Sequence, residues 1–273
     1  MLARRAGQTW LRRLVVTLTL LLVSCATATA LRAPVCLPFD YLWNLGATIV
    51  APALQPPRDG KVRVVFCQHG LWRTPVSLDR LARSLEANGY EVVNTGYPST
   101  EGFLHDHAAR LRDAVEGRFA AGPVDEISFV GHSMGGLVIQ QYLRRADARV
   151  PRACVYVASP HRGAILADRR RHWFGFQLVM GDRAASQLCT TDPHHQQEIP
   201  RGEVSGAVVG DIGEGSRSIP GRDDGTVGVD EAVFDGLADA ITVPFGHTSI
   251  AVREAAIRQV LHFLRRGAFD HGG

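Results

Sequence analysis

The sequence predicts an α/β fold in which a mostly parallel sheet is flanked by helices on both faces. Two observations carry that prediction. Apolar runs of five to seven residues alternate with amphipathic stretches along most of the 273-residue chain, and strands that alternate with helices of about ten to eighteen residues pair in parallel, each crossover helix covering the sheet. One of the junctions, Gly131-His132-Ser133-Met134-Gly135, is a turn of the Gly-x-Ser-x-Gly kind with an apolar run before it and a helical pattern after it.

Taken in order, Val62 to Cys67 reads as the first strand, followed by a loop, Gln68 to Arg73. A helix then opens with Thr74 as its N-cap and Pro75 at its first position, where a missing N–H costs nothing. Leu78, Leu81, Ala82 and Leu85 line one face of it, and Asn88-Gly89 ends it. Tyr90 to Asn94 is the second strand. Leu104, Ala108, Leu111, Val115 and Phe119 recur at steps of four and three, the period of a long amphipathic helix. Glu126 to Val130 is the strand before the serine turn, and a helix from Met134 to about Arg145 follows it. Arg152 to Ala158, Val204 to Val209 and Ala240 to Pro244 are further strands, and a last helix runs from about Ser249 to Arg266 with Ile257, Val260, Leu261 and Leu264 inward.

His161 to Gly202 breaks the alternation. It sets Arg169-Arg170-Arg171-His172 beside Trp173, Phe174, Phe176, Leu178, Val179 and Met180. A structureless loop of that length is improbable in a compact domain, so short helices at the carboxyl edge of the sheet are expected there. The apolar cluster fits either a lid over a substrate pocket that also meets a lipid surface or a small helix packed on the body.

Residues 1–30 read as an export signal, with arginines first, an apolar run from Leu14 to Val23 and small residues after it. That run is about half of the twenty or so residues a membrane-spanning helix needs. Ala28-Thr29-Ala30 resembles a signal-peptidase site, whereas Leu22-Val23-Ser24-Cys25 resembles a lipobox that would lipidate Cys25. Either places the chain outside the cytoplasm, in a bacterial cell envelope or secreted. Residues 31–60, with five prolines around Phe39 to Val50, read as a tether and a short helix on the outside of a domain spanning 61–273.

The formal charge is +3, and without Arg4, Arg5, Arg12 and Arg13 of the signal it falls to −1, with 26 basic against 27 acidic residues. That balance argues against a nucleic-acid partner, which wants a strongly basic face. Cys67 and Cys154 lie in apolar runs and are expected as buried thiols, while Cys36 and Cys189 are a possible disulfide. No spacing of Cys and His suggests a structural metal.

The chemistry concentrates around Ser133. The strand–Gly-x-Ser-x-Gly–helix order makes a sharp turn that lifts the serine hydroxyl out of the sheet and holds Ser133 in a strained backbone conformation. The amide of Met134 then lies at a helix N-terminus, suited to an oxyanion. A serine needs a base, and the base needs a group to fix its tautomer. His247 in Phe245-Gly246-His247-Thr248 directly follows a strand and is the best base. His262 sits in a helix, His194 and His195 sit in the insert, and His105 and His107 precede the serine. Asp224 in Arg222-Asp223-Asp224-Gly225 is the best acid, with Asp223 and then Asp211 as rivals. His69-Gly70-Leu71 supplies the second oxyanion donor, the Leu71 amide, while His69 braces the loop.

These segments together, His69-Gly70-Leu71, Gly131 to Gly136, Asp224-Gly225-Thr226-Val227 and Gly246-His247, resemble the α/β-hydrolase superfamily, and in particular its bacterial lipase-like and esterase-like members, from about Val62 to Arg266. The resemblance implies Ser133 as nucleophile, Asp224 and His247 as its partners, the Leu71 and Met134 amides as oxyanion hole, an ester or lipid substrate, and no metal or organic cofactor. The chain departs from larger members in lacking an obvious pair of strands before Val62, so the sheet is expected to be reduced at that edge. It carries Ala158-Ser159-Pro160-His161 where relatives often have Gly-Thr-Pro-His.

Overall fold

The computed structural model describes residues 40, 59–172, 182–200 and 202–272. Six strands form one sheet in the order β2-β1-β3-β4-β5-β6, every pair parallel. They are β1 (Arg63–Gln68), β2 (Glu91–Thr95), β3 (Glu126–His132), β4 (Ala153–Val157), β5 (Val204–Gly210) and β6 (Asp239–Val243). Among the described residues no strand precedes β1.

The period of two along each strand divides the core. Val65 and Cys67 of β1, Val130 of β3, Val155 and Val157 of β4 and Val208 of β5 pack on one face against helix α1 (Asp79–Ala87) and the last helix. Val64 and Phe66 of β1, Ile127 and Phe129 of β3, and Cys154 and Tyr156 of β4 point to the other face, under α2 (Leu104–Ala121) and α3 (Met134–Leu143). The inner strands β1, β3, β4 and β5 are buried on both sides because both sides are covered, the usual state of a parallel sheet, while β2 and β6 at its edges are part-exposed. Cys67 and Cys154 are buried thiols, and burial pushes both up to about 12. Cys189 is buried as well, while Cys36 lies outside the described residues.

Two helix boundaries differ from the sequence reading. Pro75–Leu78 is a turn of 3-10 helix, and α1 starts only at Asp79. Thr74 does not cap it through its side chain, because its hydroxyl donates instead to the buried carboxylate of Asp40, 2.7 Å away. The C-terminal helix is divided as well. Ile250–Val252 forms a 3-10 turn whose three side chains are buried, Arg253 is extended, and the α-helix proper, α6 in chain order, runs Glu254–Arg266. The break frees the Val252 carbonyl, and the Arg80 guanidinium caps it.

The insert holds short helices, as its length demanded: α4 (Ile165–Arg170), α5 (Asp182–Gln187) and a 3-10 turn at Pro193–Gln196. The segment from Trp173 to Met180, the stretch read as an export signal with Cys25, and residues 31–39 and 41–58 lie outside the described residues. Among the described residues no helix is long and apolar enough to cross a membrane.

Candidate active site

The carboxyl ends of three adjacent central strands carry the backbone strain. The only non-glycine residues at positive φ among those described are Trp72 after β1, Ser133 after β3 and Ala158 after β4, at 61°, 56° and 49°. Such conformations persist only where surrounding structure over-determines them, and they gather at functional sites. At Ser133 the surroundings are visible: its amide donates to the Val157 carbonyl (2.9 Å) and its carbonyl accepts from Gly136 (3.0 Å). A methyl on Gly131 would meet the Gly136 nitrogen at 2.6 Å, and one on Gly135 would meet the Gln68 carbonyl oxygen of β1 at 2.2 Å. The first glycine therefore permits the bend, and the second lets α3 approach the neighbouring strand.

Ser133 Oγ stands 2.9 Å from His247 Nε2, and His247 Nδ1 stands 2.7 Å from Asp224 Oδ2. The serine hydroxyl is thus placed to donate to Nε2 while the Nδ1–H donates to the carboxylate. Asp224 is buried, and its other oxygen accepts from the amides of Thr226 (2.9 Å) and Val227 (2.7 Å). Its carbonyl takes the His247 amide at 2.9 Å. The imidazole and the carboxylate are therefore fixed to each other through backbone as well as side chain.

The rival carboxylates have other partners. Asp223 is fully buried and points away, accepting from the Gly225 amide (2.6 Å) and the Ser216 amide (2.9 Å), so it shapes the loop that carries Asp224. Gly225, at φ 93°, supplies the turn after them, closed by the Asp224 amide on the Val227 carbonyl at 3.1 Å. Asp211 pairs with Arg222 at 2.6 Å. Of the rival histidines, His262 lies in α6 and bonds the Ala268 carbonyl, while His194 and His195 sit in the insert.

The loop after β1 is a turn closed by the Arg73 amide on the Gly70 carbonyl (3.3 Å), with Leu71 and Trp72 at its centre. Trp72 takes the positive-φ place that such a turn usually gives to glycine, and its amide donates to Ser99 Oγ at 3.0 Å. Gly70 lies against Ser133: a methyl there would come within 2.9 Å of its Cβ. Leu71 follows at once, and Met134 is the first residue of α3, one of the first-turn amides that have no acceptor inside the helix.

His69 braces this loop and does not face the serine. Its Nδ1–H donates to the Gly70 carbonyl at 2.9 Å, its ring stacks on Tyr97 with centroids 4.3 Å apart, and burial pushes it down to about 4, which keeps it neutral. His132 has no role in the sequence reading. It is buried beside His247, and its Nε2–H donates to the His247 carbonyl at 2.9 Å. Burial first, and the neighbouring His247 second, lower it to about 3. Asp40, Arg73 and Thr248 were missed too, and Asp40 could not have been singled out in a proline-rich stretch. A cavity of about 340 Å³ adjoins the loop, walled by Trp72, Arg73, Pro75, Tyr97 and Pro98 among others. Among the described residues no group of three or more His, Cys, Asp or Glu side chains is arranged to hold a metal ion.

A fold of six parallel strands with a strained serine between β3 and α3 defines a class, and comparison with known proteins agrees with it. The model of the alpha/beta hydrolase family matches residues 64–258, and the chain belongs to that family. No curated protein matches the sequence. Among solved structures, the mature form of lipase BlEst2 from Bacillus licheniformis is similar with a TM-score of 0.54 at 19% identity, over 79% of this chain and 95% of that one. The metagenomic carboxyl esterase MGS0156 gives 0.52 at 19% identity, over 73% and 68%. The type II thioesterase BorB from the borrelidin biosynthetic cluster gives 0.50 at 18% identity, over 77% and 93%. At these identities the likeness is one of fold.

Proposed function

We propose that the protein is a serine hydrolase of carboxylic esters, an esterase or lipase, working through Ser133, His247 and Asp224. The observation that carries the reading is the unbroken series from Ser133 Oγ to His247 Nε2 and from His247 Nδ1 to Asp224 Oδ2, at 2.9 and 2.7 Å. Both distances lie within the reach of proton transfer.

In this mechanism Ser133 Oγ attacks the ester carbonyl carbon while His247 Nε2 takes the hydroxyl proton. Asp224 holds the imidazole in the required tautomer and stabilises the imidazolium that forms. The carbonyl oxygen, now negative, is received by the amides of Leu71 and Met134, each such donor worth about 3 to 4 kcal/mol in the transition state. His247 passes its proton to the leaving alcohol, which leaves an acyl group on Ser133. Water, deprotonated by the same imidazole, then releases the acid. An exported setting, with membrane contact through a lipidated Cys25 or the Trp173 to Met180 segment, completes the proposal on sequence grounds.

Ser133→Ala should lower the turnover of p-nitrophenyl esters by several powers of ten and abolish labelling by a fluorophosphonate probe. Retained hydrolysis by the purified variant would remove the assignment. A panel of oxygen esters and thioesters of rising chain length then separates esterase, lipase and thioesterase: faster turnover of thioesters than of matched oxygen esters would overturn the ester reading.

A further inference from the structure

Asp40 belongs to the stretch before the domain, yet its carboxylate is almost wholly buried at the rim of the sheet. One oxygen, Oδ2, accepts from both the amide and the hydroxyl of Thr74, at 2.9 and 2.7 Å. The other, Oδ1, pairs with Arg73 Nη1 at 3.0 Å. Arg73 extends beyond this pair, and its Nη2 donates to the hydroxyl of Thr248 at 3.1 Å. Arg73 closes the oxyanion turn through its own amide, and Thr248 is the residue after His247.

β1, which leads into the oxyanion turn, and β6, which leads into the His247 loop, have β3, β4 and β5 between them in the sheet. Nothing in the sheet register ties those two loops to each other. The backbone of His247 is held at its N–H by Asp224 and at its carbonyl by His132, but both of those come from the nucleophile's side or the acid's side of the site. Beside the packing of Pro75–Leu78 on Ile250–Val252 and the Arg80 bond to the Val252 carbonyl, the guanidinium is a direct hydrogen-bonded tie between the donor turn itself and the residue after His247. Its chemistry fits such a tie, since the group is planar and always charged, and its two terminal nitrogens reach different acceptors in fixed directions. The carboxylate of Asp40 keeps it oriented and offsets the cost of holding a charge that is only one-fifth exposed.

We infer that Asp40, Arg73 and Thr248 form a strut that sets the spacing between the oxyanion turn and the His247 loop, so that Arg73 is a positioning residue for the proposed reaction and Asp40 its anchor. A strut of this kind acts on the transition state, where the imidazole and the oxyanion donors must serve the same tetrahedral centre, and much less on substrate binding. The inference rests on the assignment of Ser133 and His247.

The test compares Thr248→Val, Thr248→Ser, Arg73→Lys and their double variant Thr248→Val/Arg73→Lys in the full chain, with Ser133→Ala as the control for the assignment itself. Thr248→Val is expected to lower kcat about tenfold with KM within twofold and an unchanged melting temperature, and Thr248→Ser, which keeps the acceptor, restores kcat. Arg73→Lys falls as far as Thr248→Val, because one ammonium cannot span both acceptors, and the double variant is no worse than either single one. Wild-type kcat in folded Thr248→Val, additive losses in the double variant, or a rise in KM at constant kcat would overturn the strut, the last by making Arg73 a substrate contact. A Thr248→Val chain that does not fold leaves the decision to Arg73→Lys and Thr248→Ser: loss in the first with wild-type kcat in the second supports the strut, and any other pair of results rejects it. An active Ser133→Ala protein would instead reject the triad and leave these kinetics without their premise.

Discussion

Gly70 lies so close to Ser133 that a methyl on its Cα would stand 2.9 Å from the serine Cβ. The same added carbon would also press on His132, whose Nδ1 and carbonyl oxygen would each be 3.3 Å away. Neither neighbour is the free end of a flexible side chain, so the loop has to retreat. Gly70→Ala is therefore expected to fold, because only the short loop after β1 has to move, and to lose about a hundredfold in kcat, the effect of withdrawing one oxyanion donor. Circular dichroism and ester turnover on the same preparation check both halves, and unchanged turnover would mean that the Leu71 amide is not a donor.

Two adjacent aspartates offer a sharper contrast. Asp224 faces the imidazole, whereas Asp223 accepts from two loop amides and touches no member of the triad. Asp224→Asn should preserve the melting temperature closely and cut kcat by about ten-thousandfold, through loss of the tautomer that presents Nε2 to the serine. Asp223→Ala takes the buried acceptor from the Gly225 and Ser216 amides, which stand in a part-exposed loop, and is expected to cost on the order of 1 to 3 kcal/mol of stability, since each hydrogen bond contributes about 0.5 to 1.5 kcal/mol net. Urea unfolding and single-turnover kinetics of both variants would show the two effects exchanged if the acid had been assigned to the wrong neighbour.

How much of this was legible in the chain depends on whether chemistry or packing fixed the position. That Ser133, Asp224 and His247 meet was legible in the sequence because, in the roles proposed for them, each must sit beyond a strand end, in an order that the fold enforces. The four inner strands followed from apolar runs whose both faces are covered, and β2 and β6 from shorter runs at the part-exposed edges. Trp72 did not, because a positive φ ordinarily announces itself as glycine, and here Ser99 and the closed turn hold a large residue in that place. Asp40 did not, because a carboxylate among prolines carries no period or motif, and its burial is decided by Arg73 and Thr74, more than thirty positions away. The break at Arg253 escaped for a related reason: the apolar spacing runs on through it, while Ile250, Ala251 and Val252 turn inward to fill the core.

Acid should destabilise the fold well before the surface carboxylates protonate. His69 and His107 are held down at about 4, and His132, His161 and His194 at about 3, in every case chiefly by burial. His194 also faces Arg144, and Gln140 donates to His161 Nδ1 at 2.5 Å. Since each folded value lies below the unfolded value of about 6.5, the unfolded chain takes up these protons first. The stabilisation is complete above about 6.5 and is lost as the pH falls toward 4 and then 3. The slope is about 1.4 kcal/mol per pH unit for each imidazole, so between pH 6.5 and 5 a single one accounts for on the order of 2 kcal/mol. Urea midpoints measured at pH 7.5 and 5.0 should fall steeply, and equal midpoints would show that these rings are not buried neutral.

Two glycines on neighbouring helices should respond to the same substitution with opposite signs. Gly117 is exposed inside α2, with nothing within 4 Å of the place a methyl would occupy, and its φ is ordinary for a helix. There the glycine contributes only excess freedom in the unfolded chain, so Gly117→Ala should gain up to about 1 kcal/mol. For a chain of this size that is a rise of about 2 to 4 °C in Tm, with unchanged ester turnover. Gly135 starts the same kind of structure in α3, but its added methyl would sit 2.2 Å from the Gln68 carbonyl oxygen and 2.7 Å from that of His69. Both are backbone atoms of the strand end and loop that carry the oxyanion turn, and relieving the clash means pushing α3 away from the sheet that holds Ser133 in its strained turn. Gly135→Ala is expected to lose soluble yield or melt many degrees lower, and any folded fraction should label poorly with a fluorophosphonate. A well-folded, fully labelled Gly135→Ala protein would show that the helix stands further from β1 than its contacts with Gln68 and His69 require.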